Sequence, residues 1–146
     1  MFERILCAYD GSDHAKAAVR SASRIAKTFG GSLYLCHTPH VSNPTIVVGG
    51  FVSQVESPLS DEEIAAAARS VIAQAEEIAR EEGVDILGVS TAPGDPAEAI
   101  LDFAEVSDAD LIVMGRRGLS ALGSLAIGSV SLKVAHGAKC ACMTVV

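Results

Sequence analysis

The sequence predicts an α/β fold, in which an open five-stranded parallel sheet of strand order 3-2-1-4-5 carries helices on both faces. Short apolar runs alternate with longer segments of helical periodicity, which gives the element order βαβαβαβαβ. The short runs are continuously apolar, as is typical of parallel strands buried on both faces. Capping residues, glycines and prolines separate the runs, so that most elements have a start or stop signal of their own.

Two strands and two helices are predicted in the first half of the chain. Ser12 or Asp13 caps the first helix, and Gly30–Gly31 supplies its left-handed stop. Ser60 and Glu63 form a capping box at the start of the second helix. The predicted elements are a strand over Ile5–Tyr9, a helix that ends near Phe29, a strand over Leu33–His37 and a long helix that ends before Gly83.

The segment Pro39–Leu59 interrupts this pattern. It has roughly twenty residues, longer than most loops of a compact domain, and contains three prolines and the pair Gly49–Gly50. We interpret it as a mobile flap, with an ordered dimer contact as the alternative. Its centre, Thr45–Val48, is apolar enough for a short extra strand or a partner contact.

The second half of the chain continues the alternation. Asp95, Pro96 and Glu98 combine a helix cap, a proline at the first helical position and a returning carboxylate. Neither a linker nor an internal repeat is visible, so one domain over residues 1–146 is expected. The predicted elements are strand Ile86–Val89, a helix that ends near Val106, strand Leu111–Met114, helix Val130–His136 and strand Met143–Val146.

Composition and charge exclude several classes of protein. Hydrophobic residues make up 49% of the chain, which excludes intrinsic disorder. A net charge of −7 argues against binding to nucleic acid or to an anionic membrane surface. No apolar run reaches the ~18 residues of a membrane span, and the N-terminus does not resemble a secretory signal. We therefore expect a cytoplasmic protein, whose four cysteines are reduced thiols.

Two sequence signals predict one ligand crevice. In open parallel sheets, ligands bind beyond the carboxyl ends of the strands where the strand order reverses, which here falls between the first and fourth predicted strands. Asp10-Gly11-Ser12 follows the first of these strands, and Gly115-Arg116-Arg117-Gly118 follows the other. Gly128-Ser129 then opens the last helix. Both groups of residues therefore mark the same edge of the sheet.

The chemistry of these residues suits a phosphate. Gly115 and Gly118 allow close approach of the backbone, and the N–H groups of Ser129–Ser131 at a helix N-terminus add donors and partial positive charge. Ser129 could alternatively cap its own helix, and the glycines could serve only to form turns. The Walker pattern lacks its lysine, since Gly118 to Ser124 has only the glycine spacing.

The spacing Gly115-x-x-Gly118, nine residues, Gly128-Ser129 resembles the G-2x-G-9x-G-[ST] motif of the ATP-binding class of the universal stress protein (UspA) superfamily. The resemblance extends along nearly the whole chain, and it implies a Rossmann-like, adenine nucleotide alpha hydrolase-like fold. The other similar segments are Ile5–Ser12, Leu35–Thr38, Gly94–Ile100 and Asp110–Gly115.

The resemblance implies a site for ATP, with Mg²⁺ or Mn²⁺ bridging the phosphate oxygens. Asp10 and the backbone near Ala8 would lie beside the adenosine, and Thr38 would occupy the place where the backbone binds adenine. The remaining implied contacts are to ribose and phosphates from Gly115, Arg116, Arg117 and Gly118, and to the triphosphate from Gly128, Ser129, Val130 and Ser131.

The resemblance also implies a homodimer formed through the last strand, and a regulatory protein partner of unknown identity. Where the family has Cys-Pro before that strand, this chain has Cys140-Ala141-Cys142-Met143-Thr144. Redox sensing by Cys140 and Cys142 is an alternative to simple packing. His37 and His40 lack a third ligand, so no protein metal site is assigned.

The function predicted is a nucleotide-dependent regulatory module of the stress response with little or no hydrolysis. Fast phosphoryl transfer needs a positioned base and charge neutralisation, and no Walker lysine is present. The alternatives are a slow ATPase or phosphoryl-transfer enzyme, and an AMP or cyclic-nucleotide binder on the same fold. Asp10 could be only a cap beside Ser12, and Arg116 and Arg117 could be solvated loop charges. His14 and His136 are expected on helix surfaces.

Overall fold

The computed structural model describes residues 1–39, 45–48, 51–54, 60–91, 94–119 and 127–146. In chain order, the elements are β1 (Arg4–Ala8), α1 (Asp13–Phe29), β2 (Ser32–His37), β3 (Thr45–Val48), β4 (Phe51–Gln54), α2 (Asp61–Glu81), β5 (Ile86–Thr91), α3 (Pro96–Val106), β6 (Leu111–Gly115), α4 (Ser129–Gly137) and β7 (Ala141–Val145).

The main sheet has the order β5-β2-β1-β6-β7, and all of its strand pairs are parallel. Without the hairpin β3–β4, this is the order 3-2-1-4-5, so the predicted fold class is confirmed. β1 lies at the centre, where Ile5 is paired with Leu33 on one side and with Leu111 on the other. The order therefore reverses between β1 and β6.

Each face of the sheet has its own apolar cluster. Ile5 and Cys7 face the cluster that contains α1 and α2, whereas Leu6 faces the cluster that contains α3 and α4. This alternation along one fully buried strand explains why its sequence is continuously apolar. Within the part of the chain that the structure describes, no helix has the length and apolarity that crossing a membrane requires.

The helix caps predicted from the sequence for α1 and α2 are confirmed. The Ser12 hydroxyl accepts the N–H of Ala15 at the start of α1. At the start of α2, Ser60 and Glu63 form the reciprocal capping box. Gly30 ends α1 with φ of 69°, the left-handed conformation that glycine adopts without strain.

The hairpin and several element boundaries differ from the prediction. Thr45–Val48 is the expected extra strand, but it is paired with a second strand, Phe51–Gln54, that was missed. Two β-rich runs flanking Gly49–Gly50 were the available hairpin signal. The interpretation of Pro39–Leu59 as flap or dimer contact falls largely outside the described residues.

The first and the last strand of the chain begin earlier than predicted. β1 spans Arg4–Ala8 instead of Ile5–Tyr9, and β7 spans Ala141–Val145 instead of Met143–Val146. Helix α4 extends one residue further at each end than the predicted Val130–His136. The bounds of β7 are set by its pairing with β6, in which Ala141 is the first paired residue of β7. This pairing joins distant parts of the chain, so the local sequence pattern does not indicate it.

Asp95 joins the start of α3 to the middle of α4 and should make stability depend on pH. Its carboxylate accepts the N–H groups of Ala97 and Glu98 and lies 3.0 Å from Lys133 Nζ in α4. The hydrogen bond from Lys133, followed by those from the backbone, lowers the pKa of Asp95 below its ordinary value of 3.8. This stabilisation is therefore present above pH 3.8 and is lost as the pH falls through the folded-state pKa.

The variant Asp95→Asn tests this pH dependence, because asparagine caps a helix but does not ionise. We expect its free energy of unfolding to fall less steeply with acidification below pH 3.8 than that of the wild type. Urea unfolding at a series of pH values measures both slopes. Identical slopes would show that Asp95 makes no contribution.

Candidate functional site

The reversal of strand order, where the sequence analysis expects the crevice, lies between the carboxyl ends of β1 and β6. The chain continues from β1 through α1 to β2 on one side, and from β6 through α4 to β7 on the other, so the two connections diverge. The residues assigned to the site from the sequence lie at the ends of β1, β2 and β6 or at the start of α4: Ala8, Asp10, Thr38, Gly115, Arg116, Arg117, Gly118, Gly128, Ser129, Val130 and Ser131.

Asp10 connects the two sides of the crevice. Its Oδ1 accepts the N–H of Ser12 at 3.0 Å, and its Oδ2 accepts the N–H of Leu119 at 3.0 Å. Bonds from backbone N–H groups to a carboxylate are charge-assisted and therefore strong. Asp10 is thus more than a cap beside Ser12, because it also binds Leu119 in the segment that directly follows β6.

Two of the glycines have packing reasons of their own. A Cβ on Gly118 would lie 2.5 Å from Asp10 Oδ2, so the missing side chain makes room for that carboxylate. A Cβ on Gly115 would lie 2.9 Å from the backbone carbon of His14 and 3.0 Å from the amide nitrogen of Ala15. These contacts give both glycines a packing reason, and the ligand role expected from the sequence stays a prediction.

A double-mutant cycle should reveal the contact between Gly118 and Asp10. We expect Gly118→Ala to lower the free energy of unfolding by about 1–3 kcal/mol, the usual cost of overpacking. In an Asp10→Ala background the same change should cost much less, since the atom that the new Cβ meets has gone. Urea unfolding of the four proteins measures the coupling, and an equal cost in both backgrounds would contradict it.

The start of α4 is tied to the loop after β6. Gly128 N–H donates to the Arg116 carbonyl at 2.9 Å, and the Ser131 hydroxyl donates to the Gly115 carbonyl at 2.9 Å. The N-cap residue is Gly128, and no side chain caps this helix. The alternative that Ser129 caps α4 is therefore wrong, and the Ser131 hydroxyl is engaged with the protein.

The backbone N–H groups of residues 129–131 lie in the first turn of α4. No carbonyl of the helix is in position to accept from them, because the helical ladder begins with Leu132 N–H donating to Gly128. These donors and the positive end of the helix dipole favour an anion. The arrangement agrees with the phosphate role expected for this segment.

Buried polar side-chain atoms without a hydrogen-bond partner occur near this end of the sheet. In native proteins most buried polar atoms are paired, and each unpaired one costs about 1–3 kcal/mol. A concentration of them is therefore a reason to expect a ligand or ordered water. Among the described residues these atoms are Tyr9 Oη, His14 Nδ1, Thr38 Oγ1, Arg116 Nε and Arg117 Nε.

Arg116 and Arg117 are half-buried rather than freely solvated. The Nε atom of each is buried, and within the described ranges neither guanidinium forms an ion pair. This differs from the alternative in which both are simple surface charges. In a chain of net charge −7, these two cationic residues have their backbone against Gly128, the N-cap residue of α4.

His14 lies in α1 but is less exposed than a helix-surface residue would be. It was expected on a helix surface, but it is half-buried, its backbone lies against Gly115, and its Nδ1 is buried. The available signal was its position two residues after Ser12, in the helix turn that opens at the crevice. His40 lies outside the described residues.

The cysteines favour packing over redox chemistry. Cys7 and Cys36 are buried, and burial raises the pKa of both thiols. Cys140 and Cys142 are half-buried, and burial is also the main cause that raises their pKa. A raised pKa disfavours the reactive thiolate. No group of three or more potential His, Cys, Asp or Glu metal ligands occurs within the described ranges.

The fold and this edge of the sheet define an open parallel α/β protein with an anion-favouring helix start at the reversal of strand order. The sequence profile of the universal stress protein family matches residues 1–145. The chain therefore belongs to the universal stress protein family.

Individual relatives agree with this assignment. A universal stress protein of Thermus aquaticus is 39% identical over 145 residues, which cover 96% of each chain. The structure of the Archaeoglobus fulgidus universal stress protein in complex with dAMP is 25% identical, covers 100% of this chain and 98% of that chain, and has a TM-score of 0.68. A universal stress protein in complex with cAMP is also 25% identical, with coverage of 99% and 97% and a TM-score of 0.69.

Proposed function

We propose that this universal stress protein binds an adenine nucleotide in the crevice between β1 and β6 and acts as a nucleotide-dependent regulatory module in the cytoplasm. One observation carries the proposal. Unpartnered buried polar atoms and the uncapped start of α4 occur together where the strand order reverses. Both features would be satisfied by one ligand with an anionic end and a polar base.

The two ends of the crevice would contact different parts of the ligand. The N–H groups at the start of α4, with Arg116 and Arg117, would hold phosphate oxygens. The nucleoside would lie along the ends of β1 and β2, beside Ala8 and Asp10 and toward Thr38. Asp10 would then accept a hydrogen bond from a ribose hydroxyl, using oxygen lone pairs that its two bonds to backbone N–H groups leave free.

The complexes of relatives with dAMP and cAMP support an adenine nucleotide as the ligand class. ATP is the finer proposal, in which Gly128 and residues 129–131 hold the triphosphate. Mg²⁺ or Mn²⁺ would be bound by the phosphate oxygens themselves, since hard cations prefer oxygen ligands and Mg²⁺ commonly uses substrate phosphates. The carboxylate of Asp10 is already engaged by Ser12 and Leu119.

Binding without efficient turnover is favoured over catalysis. A general base must be able to reach the attacking water, and Asp10 is held by two backbone N–H groups. A slow ATPase or phosphoryl-transfer enzyme is the alternative. Phosphate release faster than about one per minute would favour that alternative, although typical enzymes turn over at about 10 per second.

Thermal unfolding with ATP, ADP, AMP, dAMP, cAMP and GTP, each with and without Mg²⁺, tests the proposal. A ligand at 100 times its Kd stabilises the folded state by about 2.7 kcal/mol, which raises Tm measurably. We expect adenine nucleotides to raise Tm and GTP to do so much less. The absence of a shift with every adenine nucleotide would overturn the proposed function.

A homodimer formed through β7 is part of the same proposal. This strand is at the edge of the main sheet, and Met143 within it exposes 38% of its surface, while Val146 directly after it exposes 68%. Exposed apolar residues on an edge strand favour pairing with another chain. Sedimentation should show two 15.0-kDa chains, and a monomer at micromolar concentration would contradict this. A regulatory protein partner is also proposed, without assignment of a surface.

A further inference from the structure

Two half-buried thiols lie on the same side of the edge strand β7. Cys140 directly precedes this strand and Cys142 is its second residue, and both pack against the apolar cluster that contains α3 and α4. Side chains two residues apart in extended backbone point the same way. Cys142 Sγ also leans toward its neighbour, since it lies 3.9 Å from the Cys140 carbonyl oxygen. The edge of the sheet therefore carries a neighbouring pair of thiols.

The spacing of this pair suits a bridging atom better than a disulfide. Two steps along a strand separate the α carbons by about 6.6 Å, whereas the α carbons of disulfides are most often about 5.5–6 Å apart and their Cβ atoms must approach within about 4.5 Å. Parallel Cβ vectors on one strand do not provide that approach. Two metal–sulfur bonds of about 2.3 Å in line span about 4.6 Å between the sulfurs. Rotation about the Cα–Cβ bonds allows this wider separation.

The number and softness of the ligands indicate which ion would fit. Thiolate sulfur is a soft ligand and selects soft ions such as Cu(I). Zn²⁺ usually takes four ligands, and no group of three or more His, Cys, Asp or Glu side chains that could hold an ion occurs among the residues that the structure describes. Cu(I) is satisfied by two thiolates in a linear arrangement. A pair of cysteines alone therefore matches Cu(I) better than Zn²⁺.

A surface cavity gives access to this pair from solvent. It has a volume of about 470 Å³ and lies between the start of β1 and the ends of α3 and α4, with Cys140 in its wall. Because α3 and α4 end where β1 begins, the cavity is at the end of the sheet opposite to the crevice. Cys7 and Cys36, in contrast, are only 0% and 2% exposed. An ion can therefore reach Cys140 without passing through the nucleotide crevice.

The cavity wall also contains positive charge that a bound ion would need. Cu(I) held by two thiolates leaves one negative charge uncompensated. Arg4 is fixed by its Nε, which donates to the Asp108 carbonyl at 2.8 Å, and this bond leaves its terminal nitrogens free. Lys139 is shared, since its Nζ lies 2.5 Å from Glu105 Oε1. The charged residues of the wall are Arg4, Glu105, Asp108 and Lys139.

Both thiols are protonated in the free protein at neutral pH. Burial is the larger cause that raises the pKa of Cys140, and the carboxylate of Asp110 adds to it, whereas hydrogen bonds from the backbone of Cys140 and Ile112 lower it. The pKa of Cys142 is raised by burial and then by Cys140. A metal ion binds the thiolate form, so binding at this pair must release protons.

We propose that Cys140 and Cys142 form a binding site for Cu(I), held in line between the two thiolate sulfurs beside the cavity at the end of α4. One Cu(I) ion enters and the two thiol protons leave. No oxidation state changes in this step, so no oxidant or reductant is required. The site is separate from the crevice and does not depend on the proposed nucleotide function.

The test titrates the reduced protein with Cu(I), without oxygen and in competition with a chromophoric Cu(I) chelator. We expect one ion per chain. Cys140→Ser and Cys142→Ser should each weaken binding by about 100-fold or more, because changes around metal ligands already cost about 10- to 100-fold. Cys36→Ala is the matched control, since Cys36 packs in the same apolar cluster but is 2% exposed. Its Cu(I) affinity should equal that of the wild type.

The dependence of Cu(I) affinity on pH gives a second readout. Below the ordinary thiol pKa of about 8.5, release of two protons should raise the association constant by about 100-fold per pH unit, whereas one thiol would give about 10-fold. X-ray absorption at the copper edge should show two sulfur neighbours. Wild-type affinity in either serine variant, the weaker pH dependence, or one ion per two chains would each overturn the inference.

Discussion

Asp10→Asn is expected to weaken AMP binding by about 10-fold or more and to lower the free energy of unfolding by about 1–3 kcal/mol. The carboxylate accepts the N–H groups of Ser12 and Leu119 with different oxygens. An amide has only one acceptor oxygen, so its NH₂ group would face one of these donors. The loop after β6 would then lose its attachment to the turn that opens α1.

Asp13→Asn is the matched control for this prediction. Asp13 lies three residues further along the chain, its side chain is 95% exposed, and it makes a surface ion pair with Lys16. Such pairs contribute little, so we expect its stability and AMP affinity to stay close to those of the wild type. Calorimetric titration and urea unfolding measure both variants. Equal AMP affinity and equal stability of the two variants would show that Asp10 does not belong to the binding site.

Gly115→Ala is expected to destabilise the fold by about 1–3 kcal/mol or more and to impair nucleotide binding. The added Cβ would lie 2.9 Å from the His14 backbone carbon and 3.0 Å from the Ala15 nitrogen. Backbone atoms at the start of a helix cannot move aside as a flexible side chain can. Either α1 or the end of β6 must shift, and both border the crevice.

Gly31→Ala separates stability from binding. A Cβ on Gly31 would lie 2.5 Å from the carbonyl oxygen of Phe2. This contact is at the amino ends of β1 and β2, whereas the crevice is at the carboxyl ends. We expect a loss of stability similar to that of Gly115→Ala, with AMP affinity close to wild type when measured well below Tm. Retention of full stability by Gly115→Ala would show that the contact with α1 is not tight.

Local sequence signals were sufficient to predict the five strands of the main sheet and the starts of α1, α2 and α3. The capping residues Ser12, Ser60 and Asp95 act through neighbours within three positions, so their roles are visible in the sequence. The continuous apolar strand at Ile5–Cys7 likewise indicated burial on both faces. The crevice could be placed because the topology of parallel sheets determines where strand order reverses.

The contacts within the crevice could not be predicted in the same way. The bond from Leu119 to Asp10 and the packing of Gly115 against His14 join residues that are about a hundred positions apart. A glycine required by close packing looks the same in a sequence as one required by a ligand. The sequence likewise does not show that the Ser131 hydroxyl binds the protein itself, because only the fold brings the Gly115 carbonyl within its reach.

The central position of β1 has a consequence for biosynthesis. One side of β1 is paired with β2, which follows soon in the chain, but its other partner is Leu111–Gly115. At the ribosomal rate of about 5–20 residues per second, that side of the strand waits roughly 5–20 s for its partner. Until then a strand destined for the middle of the sheet presents an open, apolar edge. The nascent chain is therefore most exposed to aggregation before its second half emerges, and a holdase chaperone would act in that interval.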